Sequence, residues 1–128
     1  MQAVATSILR RRHERSFEVA KFVTIGYGDQ AGYDGTDPAV RDEAHAHDAG
    51  LRQRGAVMGV AGQPVQVRNH DAAGVIIQDG AFMSSSLPVA GFAVIEAATR
   101  AEAAEIVSRT PCAVARGVVE VWPLQESP

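Results

Sequence analysis

The chain has 128 residues, a formal net charge of −3, and 46% hydrophobic against 21% charged residues. This length fits one domain, and the composition is typical of a folded globular protein. The acidic balance argues against nucleic-acid binding by the whole chain. No segment is apolar over the ~20 residues that cross a bilayer. The single cysteine, Cys112, has no intramolecular disulfide partner, so we expect a cytoplasmic protein without membrane or direct nucleic-acid contacts.

The N-terminal region, residues 1–16, is apolar first and arginine-rich second. A secretory signal has the opposite order, with its charge before its apolar core. The sequence therefore predicts a basic N-terminal extension, followed by one domain over residues 17–124 and a short tail at 125–128.

The first half of the domain predicts one strand and one long helix. Residues 17–27 are rich in β-branched and aromatic residues, which favours a strand, and residues 28–35 have the composition of a turn. A helix is predicted over residues 38–54, with Asp37 as its N-cap and Pro38 at its first position.

Helical spacing predicts which side of this helix is buried. An apolar stripe with one histidine should face the core; its members are Val40, Ala44, His47 and Leu51. Three charged residues are predicted on the solvent side; they are Arg41, Asp48 and Arg52.

The second half predicts five more strands and a second helix. Strands are expected at residues 56–60, 64–68, 74–78, 89–96 and 118–122, with 64–68 and 74–78 forming a hairpin. Thr99 and Glu102 fit a capping box for a helix that Pro111 prevents from continuing. This order predicts an α+β fold, a ferredoxin-like antiparallel sheet with two helices on one face. The other sheet face also carries apolar residues, which predicts a homodimer through it.

Four segments, in the same order along the chain, resemble the YCII-related family. They are residues 20–29 (AKFVTIGYGD), 51–55 (LRQRG), 78–82 (QDGAF) and 117–124 (GVVEVWPL). The third resembles the Asp-Gly-Pro-Phe (DGPF) signature of one subgroup. The resemblance implies a ferredoxin-like dimeric α+β barrel and a His/Asp active site beside the sheet. It also implies, for some members, a partnership with an extracytoplasmic-function (ECF) sigma factor.

The chain departs from the family pattern at three places. Ala81 replaces the signature proline, which removes a fixed φ and loosens the loop. Ala44 stands where the family has its helix histidine, one turn before His47. Residues 83–86, Met-Ser-Ser-Ser, replace the acidic or amide residues that follow the signature.

The predicted catalytic pair is His47 with Asp79. An imidazole titrates near neutrality, and a carboxylate that holds one ring nitrogen raises the basicity of the other. The alternative for His47 is a structural histidine bonded to a backbone carbonyl, and the alternative for Asp79 is ordinary Asp-Gly turn chemistry. Mutation of His47 to alanine is expected to abolish turnover if the pair is catalytic.

Substrate-binding residues are predicted near the same cleft. Tyr27 and Asp29 lie at the C-terminal end of the first strand, and Phe82 ends the signature segment. Tyr27 is also explained as a half-buried aromatic with its hydroxyl at the rim, and Phe82 as an anchor into the core.

A metal site is disfavoured by helical geometry. His45 and His47 are two residues apart, about 200° around a helix, so they do not chelate one metal. His45 is therefore predicted as a surface residue, and no metal or other cofactor is expected. Ser84, Ser85 and Ser86 lack the nucleophile-elbow pattern, and Cys112 is predicted as a small buried hydrophobe.

Two functions follow from these observations. The first is a cofactor-independent isomerase or lyase, in which His47, oriented by Asp79, removes a proton from a small cyclic or carbonyl-bearing metabolite. The second is a non-catalytic ligand-binding or regulatory module associated with an ECF sigma factor.

Overall fold

The computed structural model describes residues 19–125. The predicted basic extension lies outside these residues. Six strands are present: β1 (Ala20–Tyr27), β2 (Val57–Val60), β3 (Val65–Arg68), β4 (Ile76–Asp79), β5 (Val89–Ala97) and β6 (Val118–Leu124). Four α-helices accompany them: α1 (Gln30–Asp34), α2 (Pro38–Gln53), α3 (Arg100–Val107) and α4 (Pro111–Val114). A 3₁₀ turn, His70–Ala72, connects β3 to β4.

Four strands form the main sheet, in the order β2-β5-β1-β6. Every neighbouring pair is antiparallel. Helices connect β1 to β2 and β5 to β6, so the strand order is compatible with a ferredoxin-like fold. The predicted α+β class with an antiparallel sheet is confirmed. The predicted hairpin is also present, but β3 and β4 form a separate two-stranded sheet.

The helices lie on one face of the main sheet, the inner face, where α3 and α4 pack directly on the strands. Alternation along β1 directs Phe22 and Thr24 toward the helices, and both are buried. The core joins Phe22 to side chains of β5 and α3; its other buried members are Ile95, Ala97, Ala103 and Val107. The core therefore lies under α3, at one end of the sheet.

Local capping chemistry sets the helix starts that the sequence predicts. The Asp37 carboxylate accepts a hydrogen bond of 2.8 Å from the Ala39 N–H, and Pro38 opens α2. At α3, Thr99 Oγ1 accepts from the Glu102 N–H at 3.1 Å, while the Glu102 carboxylate accepts from the Ala98 N–H at 2.9 Å. These bonds satisfy N–H groups that have no partner within the helix.

The prediction of two helices is wrong, because the structure has two further short helices, α1 and α4. Residues 28–35, predicted as a turn, contain α1, because the Asp29 carboxylate caps it by accepting from the Gly32 N–H at 2.8 Å. α3 ends at Val107, before Pro111, and Pro111, predicted only to prevent helix continuation, opens α4. A proline at a first helical position gives up no intrahelical hydrogen bond, so a new helical turn can begin there.

Two surfaces lie outside this core. The open face is the outer face of the main sheet, and its most exposed apolar side chains are Val57, Phe92, Val118 and Trp122. The arm is the β3–β4 hairpin, residues 65–79; Val65, Val67, Ile76 and Ile77 on it are all exposed. Within residues 19–125, no helix has the length and apolar character needed to cross a membrane.

Candidate functional site

A cavity of about 640 Å³ lies between α2 and the inner face of the sheet. It exists because α2 packs mainly against α4 and stands away from the strands. The side chain of Leu51 reaches it from α2, and Thr24 reaches it from β1. A volume of this size is in the range of small-molecule sites, which run from about 300 to 1,000 Å³.

Glycines form much of the cavity floor. Gly26 of β1 lies directly opposite Gly91 of β5. A Cβ atom at Gly26 would come within 2.8 Å of the Cys112 Sγ, and one at Gly91 within 2.7 Å of the Gly59 carbonyl oxygen. Both distances are too short for a normal contact, so side chains at either position would fill the floor and displace their neighbours.

The wall opposite the floor is a polar stripe on α2. His45, Asp48 and Arg52 are spaced i, i+3 and i+7, so they share one side of the helix, and all three line the cavity. The prediction that Asp48 faces solvent is therefore wrong, because the helix has a second, polar side turned toward the space above the sheet. Arg52 is exposed, whereas Asp48 is half-buried.

Asp48 is the cavity group whose surroundings most clearly lack a hydrogen-bond partner. Its Oδ1 atom is buried and accepts no hydrogen bond from any residue between 19 and 125. Burial raises the pKa of this carboxyl above its ordinary value, while the charges of Arg52, His47 and His45 oppose the rise. Burial, and then the charge of Asp48, raises the pKa of the Cys112 thiol as well. Asp48 thus holds its proton to higher pH than a solvated aspartate.

A hydrogen-bonded pair stands beside Asp48 at the rim. The Tyr33 hydroxyl of α1 and His45 Nε2 share a hydrogen bond of 2.8 Å. Arg41 holds α1 in place, because its guanidinium carbon lies 4.6 Å from the centre of the Tyr33 ring and its Nη1 donates to the Tyr33 carbonyl at 3.0 Å. His45, predicted as a surface residue, is exposed and also takes part in the cavity wall.

His47 and Asp79 lie in separate parts of the structure. His47 Nε2 donates to the Ile106 carbonyl of α3 at 2.7 Å. Asp79 is exposed at the end of β4, opposite Val65 in the two-stranded sheet. Neither residue lines the cavity, and their catalytic pairing stays a prediction.

The three residues predicted to bind substrate lie in three different places. Asp29 lines the cavity and caps α1. Tyr27 is buried on the side of the open face, where its hydroxyl donates to Glu120 Oε1 at 2.7 Å; this hydrogen bond raises the pKa of the phenol. Phe82 is 80% exposed and therefore does not anchor the loop into the core. Its ring centre lies 5.9 Å from the Arg68 guanidinium carbon.

The sequence contains only one weak indication of the cavity and its polar wall. The polar spacing of His45, Asp48 and Arg52 along α2 matches its cavity side, but an ordinary solvated side of a helix has the same spacing. Tyr33 and Cys112 enter through α1 and α4, the two helices that the sequence did not predict.

Neither the search for metal ligands nor the comparisons with known proteins assigns a function to this site. No group of three or more His, Cys, Asp or Glu side chains within residues 19–125 is placed to hold a metal ion. The chain matches no protein-family model, and no curated protein matches it.

Proposed function

We propose that this protein is a small, cofactor-independent enzyme that moves a proton on a cyclic or carbonyl-bearing molecule bound in the cavity, with Asp48 as the acid–base group. The observation that supports it is the buried, unpartnered Oδ1 of Asp48 in a cavity of about 640 Å³. A buried polar atom without a partner costs free energy, and such groups are concentrated at functional sites.

The chemistry follows from the state of this carboxyl. In its ionised form Asp48 accepts a proton from the carbon next to a carbonyl group, and the electron pair of that C–H bond moves to the carbonyl oxygen to give an enol or enolate. When that carbon also carries a C=C bond, the intermediate is a dienolate, and return of the proton to its far carbon shifts the double bond, which is an isomerisation without net oxidation or reduction. The raised pKa makes Asp48 a stronger base when ionised and a competent donor in the return step.

Neighbouring groups suit the other end of such a substrate. Tyr33 and His45 offer hydrogen-bond donors at the rim, where an enolate oxygen needs stabilisation. Arg52 supplies a positive charge at the edge of the cavity, which favours an anionic substituent on the ligand. The flat glycine floor at Gly26 and Gly91 fits a planar ring.

Deuterium exchange tests this proposal without knowledge of the natural substrate. Cyclohexanone, cyclohexenone and butyrolactone would be incubated with the protein in D₂O, and loss of their α-proton signals followed by NMR. We expect the protein to accelerate exchange of at least one probe, and Asp48→Asn to lower that rate by about 10²–10⁴-fold, the usual contribution of an acid–base group.

Asp42→Asn is the matched control, because Asp42 is exposed on the same helix and does not line the cavity. It should leave the exchange rate unchanged. Equal rates for the wild type and Asp48→Asn, or no acceleration with any probe, would contradict the proposal.

A second candidate is the non-catalytic regulatory module, with an ECF sigma factor as its partner. The observation that favours it is the exposed apolar surface of the open face and the arm, since surfaces of this kind bind proteins. A purified ECF sigma factor from the same organism would then bind the wild type and bind Trp122→Lys more weakly, with no effect of Asp48→Asn.

The remaining predictions concern partners and relationships. We propose a homodimer through the open face, as the sequence predicts. The relationship to the YCII-related family stays a prediction, and the strand order of the main sheet is compatible with it. The cytoplasmic location stays a prediction from composition. The His47–Asp79 pair stays an alternative catalytic assignment, which the exchange assay also tests.

A further inference from the structure

The arm is a two-stranded sheet with different sides. Val67 lies opposite Ile77 on one side, and Val65 lies opposite Asp79 at the edge of the same side; we call this the apolar side, since three of its four residues are apolar. Gln66 lies opposite Gln78 on the other side, next to Arg68. A two-stranded hairpin is only marginally stable alone in water, so a layer over its apolar side would stabilise it. None of the core residues of the domain provides that layer.

The root of the arm joins the open face. Residues 80–88 lead from β4 back to β5, and within them Met83 Sδ lies 3.6 Å from the Tyr27 hydroxyl oxygen. Tyr27 belongs to the open face and also bonds Glu120 there. The apolar side chains of the loop are therefore continuous with those of the sheet.

We propose that the apolar side of the arm packs on the open face of a second copy of this chain, and that the second copy does the same in return. Such an exchange is isologous, so it closes into a dimer with two-fold symmetry. The inference rests on the homodimer proposed above, and adds which segment covers the open face.

The area available fits this arrangement. Eight exposed apolar side chains belong to the apolar side of the arm, its loop and the open face: Val57, Val65, Val67, Ile77, Met83, Phe92, Val118 and Trp122. At roughly 100 Å² of exposed surface for each side chain, they amount to about 800 Å². Stable interfaces bury about 800 Å² on each partner, so these residues are enough for a dimer of the ordinary size class.

Two adjacent isoleucines give a sharp test. Ile77 and Ile76 are 64% and 61% exposed, but they point to opposite sides of the arm. The dimer dissociation constant of the full chain would be measured by sedimentation velocity over a range of concentrations. We expect Ile77→Lys to raise it at least ~100-fold, because a charge would be buried in the interface, and Ile76→Lys to change it by less than ~3-fold.

Trp122→Lys on the open face separates the two proposals. If Trp122→Lys disrupts the dimer and Ile77→Lys does not, the homodimer stands and the role of the arm is overturned. A wild type that stays monomeric at all concentrations overturns both. Equal effects of Ile77→Lys and Ile76→Lys also overturn the sided contact, and circular dichroism confirms that each exposed variant is folded.

Discussion

Asp48 combines a cost in stability with the chemistry proposed for it. Its carboxyl is half-buried next to Leu51 and Cys112 in the cavity, and its Oδ1 has no hydrogen-bond partner among residues 19–125. A group of this kind is retained against stability when it serves a function. The raised pKa means that the folded state binds the Asp48 proton more tightly than the unfolded state does.

This difference in proton affinity gives a stability prediction for Asp48→Asn. Below the pKa that Asp48 has in the unfolded chain, its carboxyl is protonated in both the folded and the unfolded wild type. No buried charge then lowers the stability of the folded state. As pH rises through the folded pKa, Asp48 ionises inside the folded wild type, and the free energy of unfolding of the wild type falls. The Asp48→Asn variant has no group to ionise there, so it should be more stable than the wild type near pH 7 and equally stable near pH 3. We expect a gain below about 1 kcal/mol, because solvent reaches part of the group and screens it.

Chemical unfolding of both proteins at several pH values measures the effect. Asp42→Asn, on the exposed side of α2, should show no pH-dependent difference from the wild type. An Asp48→Asn variant that is less stable than the wild type at pH 7 would contradict the assignment of an unfavourable carboxylate.

At the scale of elements, His47 connects two helices. The Ile106 carbonyl lies in the last turn of α3, where carbonyl groups lack partners within the helix, and His47 of α2 donates to it at 2.7 Å. The imidazole thus acts as a C-terminal cap for a neighbouring helix. This geometry matches the structural alternative that the sequence left open for this residue.

Substitution of His47 distinguishes a positioning role from a catalytic one. His47→Ala should lower the unfolding free energy by about 0.5–1.5 kcal/mol, because it removes the hydrogen bond to a half-buried carbonyl. The exchange rate per folded molecule should stay within a few-fold of the wild type. His70→Ala, in the exposed connection of the arm, is the control for stability. A loss of exchange without a loss of stability would instead support the predicted His47–Asp79 pair.

The sequence predicts the starts of the two longer helices but misses α1 and the position of Asp48 in the cavity. The caps of α2 and α3 depend on residues within four positions of each other, so Asp37, Thr99 and Glu102 could be read from the sequence. The missed helix α1 has Asp29 as its N-cap, and an aspartate side chain serves a turn and a helix cap equally well. The role of Asp48 could not be predicted, because it depends on how far α2 stands from the sheet, which is set by packing against α4.

For the whole molecule, the arm is separable from the domain that carries the cavity. Its two ends meet, because the Gly80 N–H donates to the Pro64 carbonyl at 3.0 Å. No core residue lies between them. The cavity and the arm are therefore independent units, one suited to a small molecule and the other to a protein surface.

Removal of the arm tests this independence. Replacing residues 65–79 by two glycines should leave a folded protein, with a thermal midpoint lowered by less than about 5 °C, or roughly 1 kcal/mol for a domain of this size. The comparison is made below the dimer dissociation constant, so that association does not contribute. The shortened protein should keep its exchange activity and stay monomeric. Loss of the folded state would show that the arm belongs to the folding unit.

The glycine floor has a consequence for how this protein would acquire a new specificity. Main chain at Gly26 and Gly91 has no rotamers to change, so this part of the cavity is a rigid template whose shape follows from strand pairing. Adaptation to a different molecule must therefore come from the opposite wall, where His45 and Arg52 can be exchanged without disturbing the sheet. Divergence among natural variants should concentrate on that helix.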